Sequence, residues 1–163
     1  MTDIAEPVSV SRRINAPAER IFSYLADPAH HPAIDGSGML RSAGQHGILS
    51  GAGDTFEMQM HNDEMGDYEM SNHVVEFEPN RRIFWEPALK SATRAQDQAA
   101  IGDRAGHRWG FELTPDGADA TTVTEIFDCS QAPEWLREVL DNGKRWLESM
   151  TITLEKLDAT FAR

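Results

Sequence analysis

Cysteine is nearly missing from this 163-residue chain, where Cys129 stands alone. An intramolecular disulfide is thereby excluded, and the usage fits a reducing compartment. Basic side chains are scarce too: 15 Lys and Arg face 27 Asp and Glu, for a formal net charge of −12. That balance repels a phosphate backbone, no basic cluster opposes it, and nucleic-acid binding is not expected. No apolar run approaches the ~20 residues of a membrane span. The opening Met1-Thr-Asp-Ile-Ala-Glu-Pro7 has neither a basic nor an apolar leader region, so a cytoplasmic protein is expected. Chemical signatures are equally sparse. His30 and His31 are adjacent, with Asp35 nearby, while His46, His61, His73 and His107 are scattered. None has the spacing of a metal site, so neither metal nor cofactor is expected. No G-x-S-x-G elbow is present, and Gly36-Ser-Gly38 lacks the strand-turn-helix setting of one.

What is present is a length suited to one domain over residues 1–163, able to bury about 70% of its unfolded surface. The strongest periodicity lies at the end. Leu136, Val139, Leu140, Trp146, Leu147, Met150, Leu154, Leu157 and Phe161 recur at spacings of three, four and seven. That stripe predicts one long amphipathic helix from Pro133 to Phe161. Gly143 interrupts its apolar face, where a helical glycine costs roughly 1 kcal/mol relative to alanine. A sheet or a ligand close to that face would account for it.

Upstream, Val8–Ile14 alternates as a first strand, Ala18–Ala26 reads as a short helix, and Ala29–Pro32 as a turn or single helical turn. Further strands are predicted around Met39–Ala43, Thr55–His61, Tyr68–Glu78, Arg82–Glu86, Gly106–Thr114 and Thr121–Phe127. In Tyr68–Glu78 the apolar parity switches midway, which implies a bulge near Asn72-His73 or a strand covered on both faces. Gly44–Gly53 reads as a glycine-rich loop, and Ala88–Ala105 as a long polar one. The order is that of an α+β protein with a helix packed on one face of an antiparallel sheet.

Four segments carry a family resemblance: Ser11–Pro28 (SRRINAPAERIFSYLADP), Val75–Trp85 (VEFEPNRRIFW), Gly106–Pro115 (GHRWGFELTP) and Thr122–Asp128 (TVTEIFD). On these segments the chain resembles the SRPBCC superfamily, the START/birch-allergen-like helix-grip fold, in its polyketide cyclase/dehydrase-like branch. It implies a curved antiparallel sheet of about seven strands wrapped around the C-terminal helix, with two short helices after strand 1. It also implies a hydrophobic cavity between sheet and helix. Members include lipid carriers, metabolite binders and polyketide cyclases, so the resemblance specifies fold better than chemistry.

Within that frame, Met58, Met60, Trp85, Trp109, Phe111, Phe127, Val139, Gly143, Trp146 and Met150 are the candidate cavity wall. Methionine and tryptophan suit a ligand site because one is adaptable and the other large and flat. The same residues also suit a plainly filled core. Glu125, between Val123 and Phe127, is the candidate acid/base, with His73 as partner or as an independent acid/base. The alternatives are a solvent-facing Glu125 paired across strands with Lys or Arg, and a structural His73. Pro28–Asp35 and Ala88–Ala105 are the candidate cavity entrance. The sequence thus leads first to a binder of a small hydrophobic or amphipathic molecule (a polyketide, an aromatic metabolite or a lipid). A cyclase/dehydrase-like enzyme comes second and a protein-interaction module third, with monomer and homodimer both open.

Overall fold

A computed structural model describes residues 6–44 and 46–162. The opening residues read above for a leader lie mostly outside that span, as does one position of the 44–53 loop.

Seven strands form a single antiparallel sheet: β1 (Val8–Ile14), β2 (Leu40–Ala43), β3 (Thr55–Asn62), β4 (Gly66–Glu78), β5 (Arg82–Ala92), β6 (Arg108–Pro115) and β7 (Thr121–Asp128). Their order across the sheet is β1-β7-β6-β5-β4-β3-β2. β2 to β7 form a meander, and β1 closes the far edge by pairing β7, Val10 opposite Glu125. The sheet curls into a half-barrel. Two short helices, α1 (Ala18–Leu25) and α2 (His31–Ile34), follow β1, and α3 (Glu134–Val139) and α4 (Leu147–Phe161) follow β7. α4 lies across the concave face, against β1, β7 and α2. The exposed ion pair of Arg12 with Asp158, 2.7 Å, ties it to β1.

Alternation decides the faces. In β7, Thr121, Val123, Glu125 and Phe127 all point inward and are buried. β4 carries the expected parity switch, but the irregularity falls between Val74 and Glu76, past the Asn72-His73 position. Tyr68, Asn72 and Val74 are buried before it, and Phe77 packs on the core after it. β5 is longer than Arg82–Glu86: it runs through Pro87 to Ala92, and a 3-10 turn over Ala95–Ala100 follows. Ala88–Ala92 is therefore strand rather than loop. Proline is tolerated there because the ladder to β6 ends at the Trp85–Trp109 pair, leaving that flank of β5 largely open.

The C-terminal helix also departs from expectation. Pro133–Phe161 is not one helix but two, separated by Asp141, Asn142 and Gly143 at φ of +50°, +52° and +94°. Asp-Asn-Gly is a sequence that tolerates the left-handed region, and the periodic apolar stripe masked it. A Cβ on Gly143 would come within 2.8 Å of Phe127 Cδ1 and 2.9 Å of Val8 Cγ2. The glycine is thus required by the backbone and by close approach to the sheet.

Candidate functional site

The core divides into two apolar clusters. The larger joins α1, the middle of the sheet and the end of α4; the smaller gathers Phe127, Cys129, Ala132, Leu140 and Met150. Between sheet, α2 and the start of α4 lies a cavity of about 260 Å³. Nearly half of its lining residues are aromatic or thioether: Phe56, Tyr68, Trp85, Trp109, Phe111 and Trp146, with Met39, Met58, Met60, Met70 and Met150. The rings brace one another, Trp85 standing 5.5 Å from both Phe56 and His31 and Trp109 5.9 Å from Trp146, centroid to centroid. The Phe56 contact is edge-on, the Trp109–Trp146 contact tilted and the His31 contact stacked, and together they fix these large side chains in place.

Of the ten residues expected in the wall, seven line it: Met58, Met60, Trp85, Trp109, Phe111, Trp146 and Met150. Three do not. Phe127 is buried one layer behind, in contact with Trp109 at 4.5 Å. Gly143 packs against Phe127 and Val8. Val139 is 57% exposed on α3, because the break at Asp141–Gly143 takes α3 away from the stripe it would have shared with α4.

Glu125 faces the cavity and is 5% exposed. Its direct cross-strand neighbours are Val10 on β1 and Phe111 on β6, so neither adjoining strand offers it a cation. Among the described residues no hydrogen bond or ion pair reaches its carboxyl. Burial among apolar groups, with the Asp35 carboxylate adding repulsion, pushes its pKa up to about 8. At neutral pH Glu125 is therefore a carboxylic acid able to donate a proton or a hydrogen bond.

His73 does not join it. Opposite Glu86 in the β4–β5 ladder, it has the parity of the outer sheet face. Its electrostatic neighbours are Arg104 and Glu86, and partial burial and Arg104 lower its pKa. Asn72, one residue earlier, lines the cavity together with Tyr68 and Met70 of the same strand.

His107 is a polar lining residue that the sequence does not single out as a site residue, whereas Trp146 is among the expected wall residues. His107 and Trp146 line the cavity, and His107 Nδ1 and Trp146 Nε1 are both buried without a hydrogen-bond partner. Burial lowers the His107 pKa, so it is neutral at pH 7. Buried polar atoms ordinarily find partners, and these two have none among the described residues.

From the first expected entrance, Pro28–Asp35, three residues line the cavity, and the turn that follows adds two more. His31, Ile34, Asp35, Ser37 and Met39 line that side. His31 is buried, donates from Nε2 to the Leu25 carbonyl at 2.7 Å, and is kept neutral chiefly by burial. Asp35 accepts from Ser37 N (3.2 Å), Ser37 Oγ (2.9 Å) and Leu40 N (3.2 Å), which closes an Asx-type turn. The segment is fastened to α4: Gly36 N donates to Thr153 Oγ1 at 2.9 Å, and Lys156 Nζ to the Asp35 carbonyl at 3.0 Å. A Cβ on Gly36 would overlap the Ser149 carbonyl, so glycine sets this close approach. From the second expected entrance, Ala88–Ala105, no residue lines the cavity; only Pro87, just before it, does. Among the described residues no three His, Cys, Asp or Glu side chains gather as a metal site, and no helix is long and apolar enough to cross a membrane.

Comparison with known proteins agrees with this geometry. A family model described as polyketide cyclase / dehydrase and lipid transport matches residues 6–162. An uncharacterized protein of Mycobacterium tuberculosis, Rv0088, is 28% identical over 171 aligned positions covering 98% of this chain. The chain spans 66% of that relative's length. Among solved structures, protein Ms6760 from Mycobacterium smegmatis superposes with a TM-score of 0.66 at 17% identity, covering 98% of this chain and 94% of that one. A protein from Arthrobacter aurescens gives 0.68 at 14% identity, covering 99% and 89%. At these identities the structures report the shared fold.

Proposed function

The chain belongs to the polyketide cyclase/dehydrase and lipid transport family, and from that premise we propose that it binds a small hydrophobic or amphipathic molecule between sheet and α4. One observation carries the reading: an aromatic and thioether cavity of about 260 Å³ into which a buried, unpartnered carboxyl is turned. An apolar wall with a few convergent polar groups is the usual makeup of a small-molecule site. The volume lies just below the ~300–1,000 Å³ of drug-sized sites, which favours a compact ligand over a long acyl chain.

A second reading, a cyclase/dehydrase-like enzyme, is favoured by the state of Glu125. A carboxylic acid with a pKa of about 8 is poised to deliver or remove a proton near neutral pH. His73 has no part in it, since it stands on the other face of the sheet.

Native mass spectrometry of the protein isolated from its own host tests the binding reading. The expected result is a non-covalent small-molecule adduct that disappears in Met60→Trp, where the larger side chain fills the cavity. A ligand-free spectrum, or an adduct that survives Met60→Trp, would contradict it.

A further inference from the structure

The acidic groups in the wall have no basic counterpart. Two carboxyl groups, Asp35 and Glu125, line the cavity, and no Lys or Arg does. The nearest ammonium with an assigned contact, Lys156, is spent on the Asp35 carbonyl and is not part of the lining. The remaining titratable groups facing the space are His31, His107 and Tyr68, and burial disfavours the charged form of each. An anionic ligand, a fatty acid or a phosphate, would meet the Asp35 carboxylate and find no countercharge in the wall. Six aromatic side chains surround the same space, and ring faces attract cations at up to about 2 kcal/mol when desolvated. Glu125, 5% exposed and without a partner, completes the arrangement, and the chain's net charge of −12 draws cations toward it.

We propose that the occupant is an organic cation, an amine on a compact aromatic or alicyclic body, with its ammonium held against Glu125 and Asp35 and its body between the tryptophans. The proposal rests on the reading that the cavity is a ligand site. It fixes the proton traffic. Before binding, Glu125 holds its proton at neutral pH; beside an ammonium it ionises, and that proton leaves to solvent. Amine affinity therefore rises with pH, by at most tenfold per unit, up to about pH 8, and then levels off.

Three probes sharing one ring system separate the charge classes: tryptamine, tryptophol and indole-3-acetate, titrated calorimetrically in buffers of different ionisation enthalpy. The expected result at pH 8 is that tryptamine binds about tenfold more tightly than tryptophol, with indole-3-acetate weakest. At pH 7 close to one proton should be released per tryptamine and none per tryptophol. Glu125→Gln should abolish the proton release and the amine preference while keeping tryptophol binding. Should that variant fail to fold, the pH dependence of the wild-type preference makes the same test. Tryptophol binding as tightly as tryptamine, indole-3-acetate binding best, or amine binding without proton release overturns the cation and leaves the ligand site standing. Binding of none of the three also overturns it, and the native mass spectrum decides separately whether the ligand-site reading falls with it.

Discussion

Phe111 and Glu125 stand opposite each other on β6 and β7, both turned inward and both buried. The pairing places a carboxyl beside a ring, with Val10 on its other flank. From this comes a pH signature in stability. The folded pKa of about 8 lies above the ordinary 4.5, so the folded state holds the proton more tightly than the unfolded chain. The contribution of Glu125 is fully present below about pH 4.5 and is lost as pH rises toward 8, with a limiting slope of about 1.4 kcal/mol per unit. The difference between wild type and Glu125→Gln in urea denaturation should follow that slope and flatten above pH 8. A pH-independent difference would show that Glu125 titrates normally.

Gly143 bears on packing and not on ligand space. Gly143→Ala forces an L-residue to φ +94° and sets its Cβ against Phe127 and Val8. The expected loss is about 2–4 kcal/mol, from strain at one backbone position and overpacking against the sheet. Urea denaturation measures it. Probe affinity of the folded variant should stay within about twofold, because Gly143 does not line the cavity.

Thr153 fastens the mouth. Its Oγ1 accepts from Gly36 N and donates to the Ser149 carbonyl at 3.0 Å. Thr153→Val strands the part-buried Gly36 N–H and should cost about 1–2 kcal/mol. Stopped-flow binding of a cavity probe should show faster association and faster dissociation, as the segment 35–39 loses its anchor. Unchanged rates would mean that this segment does not gate the cavity.

His73 is the negative control. It stands on the outer sheet face, so His73→Ala should leave probe affinity and its pH dependence within about twofold. A tenfold loss on calorimetric titration would place His73 in the site after all.

Much of this arrangement was legible in the chain, and for definite reasons. Strict alternation in Thr55–His61 and Thr121–Phe127 gave strand faces directly, which is why Met58, Met60 and Glu125 were placed correctly with respect to the interior. Where periodicity spoke alone, it misled. The stripe through Leu136, Val139 and Trp146 reads as continuous, yet Asp141-Asn-Gly143 turns the backbone left-handed and strands Val139 in solvent. The β4 irregularity displaced the expected bulge and exchanged His73 for Asn72 at the cavity. The orphaned atoms of His107 and Trp146 had no sequence signal: whether a polar atom finds a partner depends on contacts between distant strands and helices.

The most direct test of the central claim uses the four tryptophans as reporters. Trp85, Trp109 and Trp146 line the cavity, whereas Trp135 is 64% exposed on α3 and outside it. In a nitrogen-15 indole spectrum recorded during titration with an unlabelled cavity probe, the three cavity signals should shift together. Trp135 should stay fixed. A probe that moves Trp135 alone, or none of the three, would contradict a ligand site between sheet and helix.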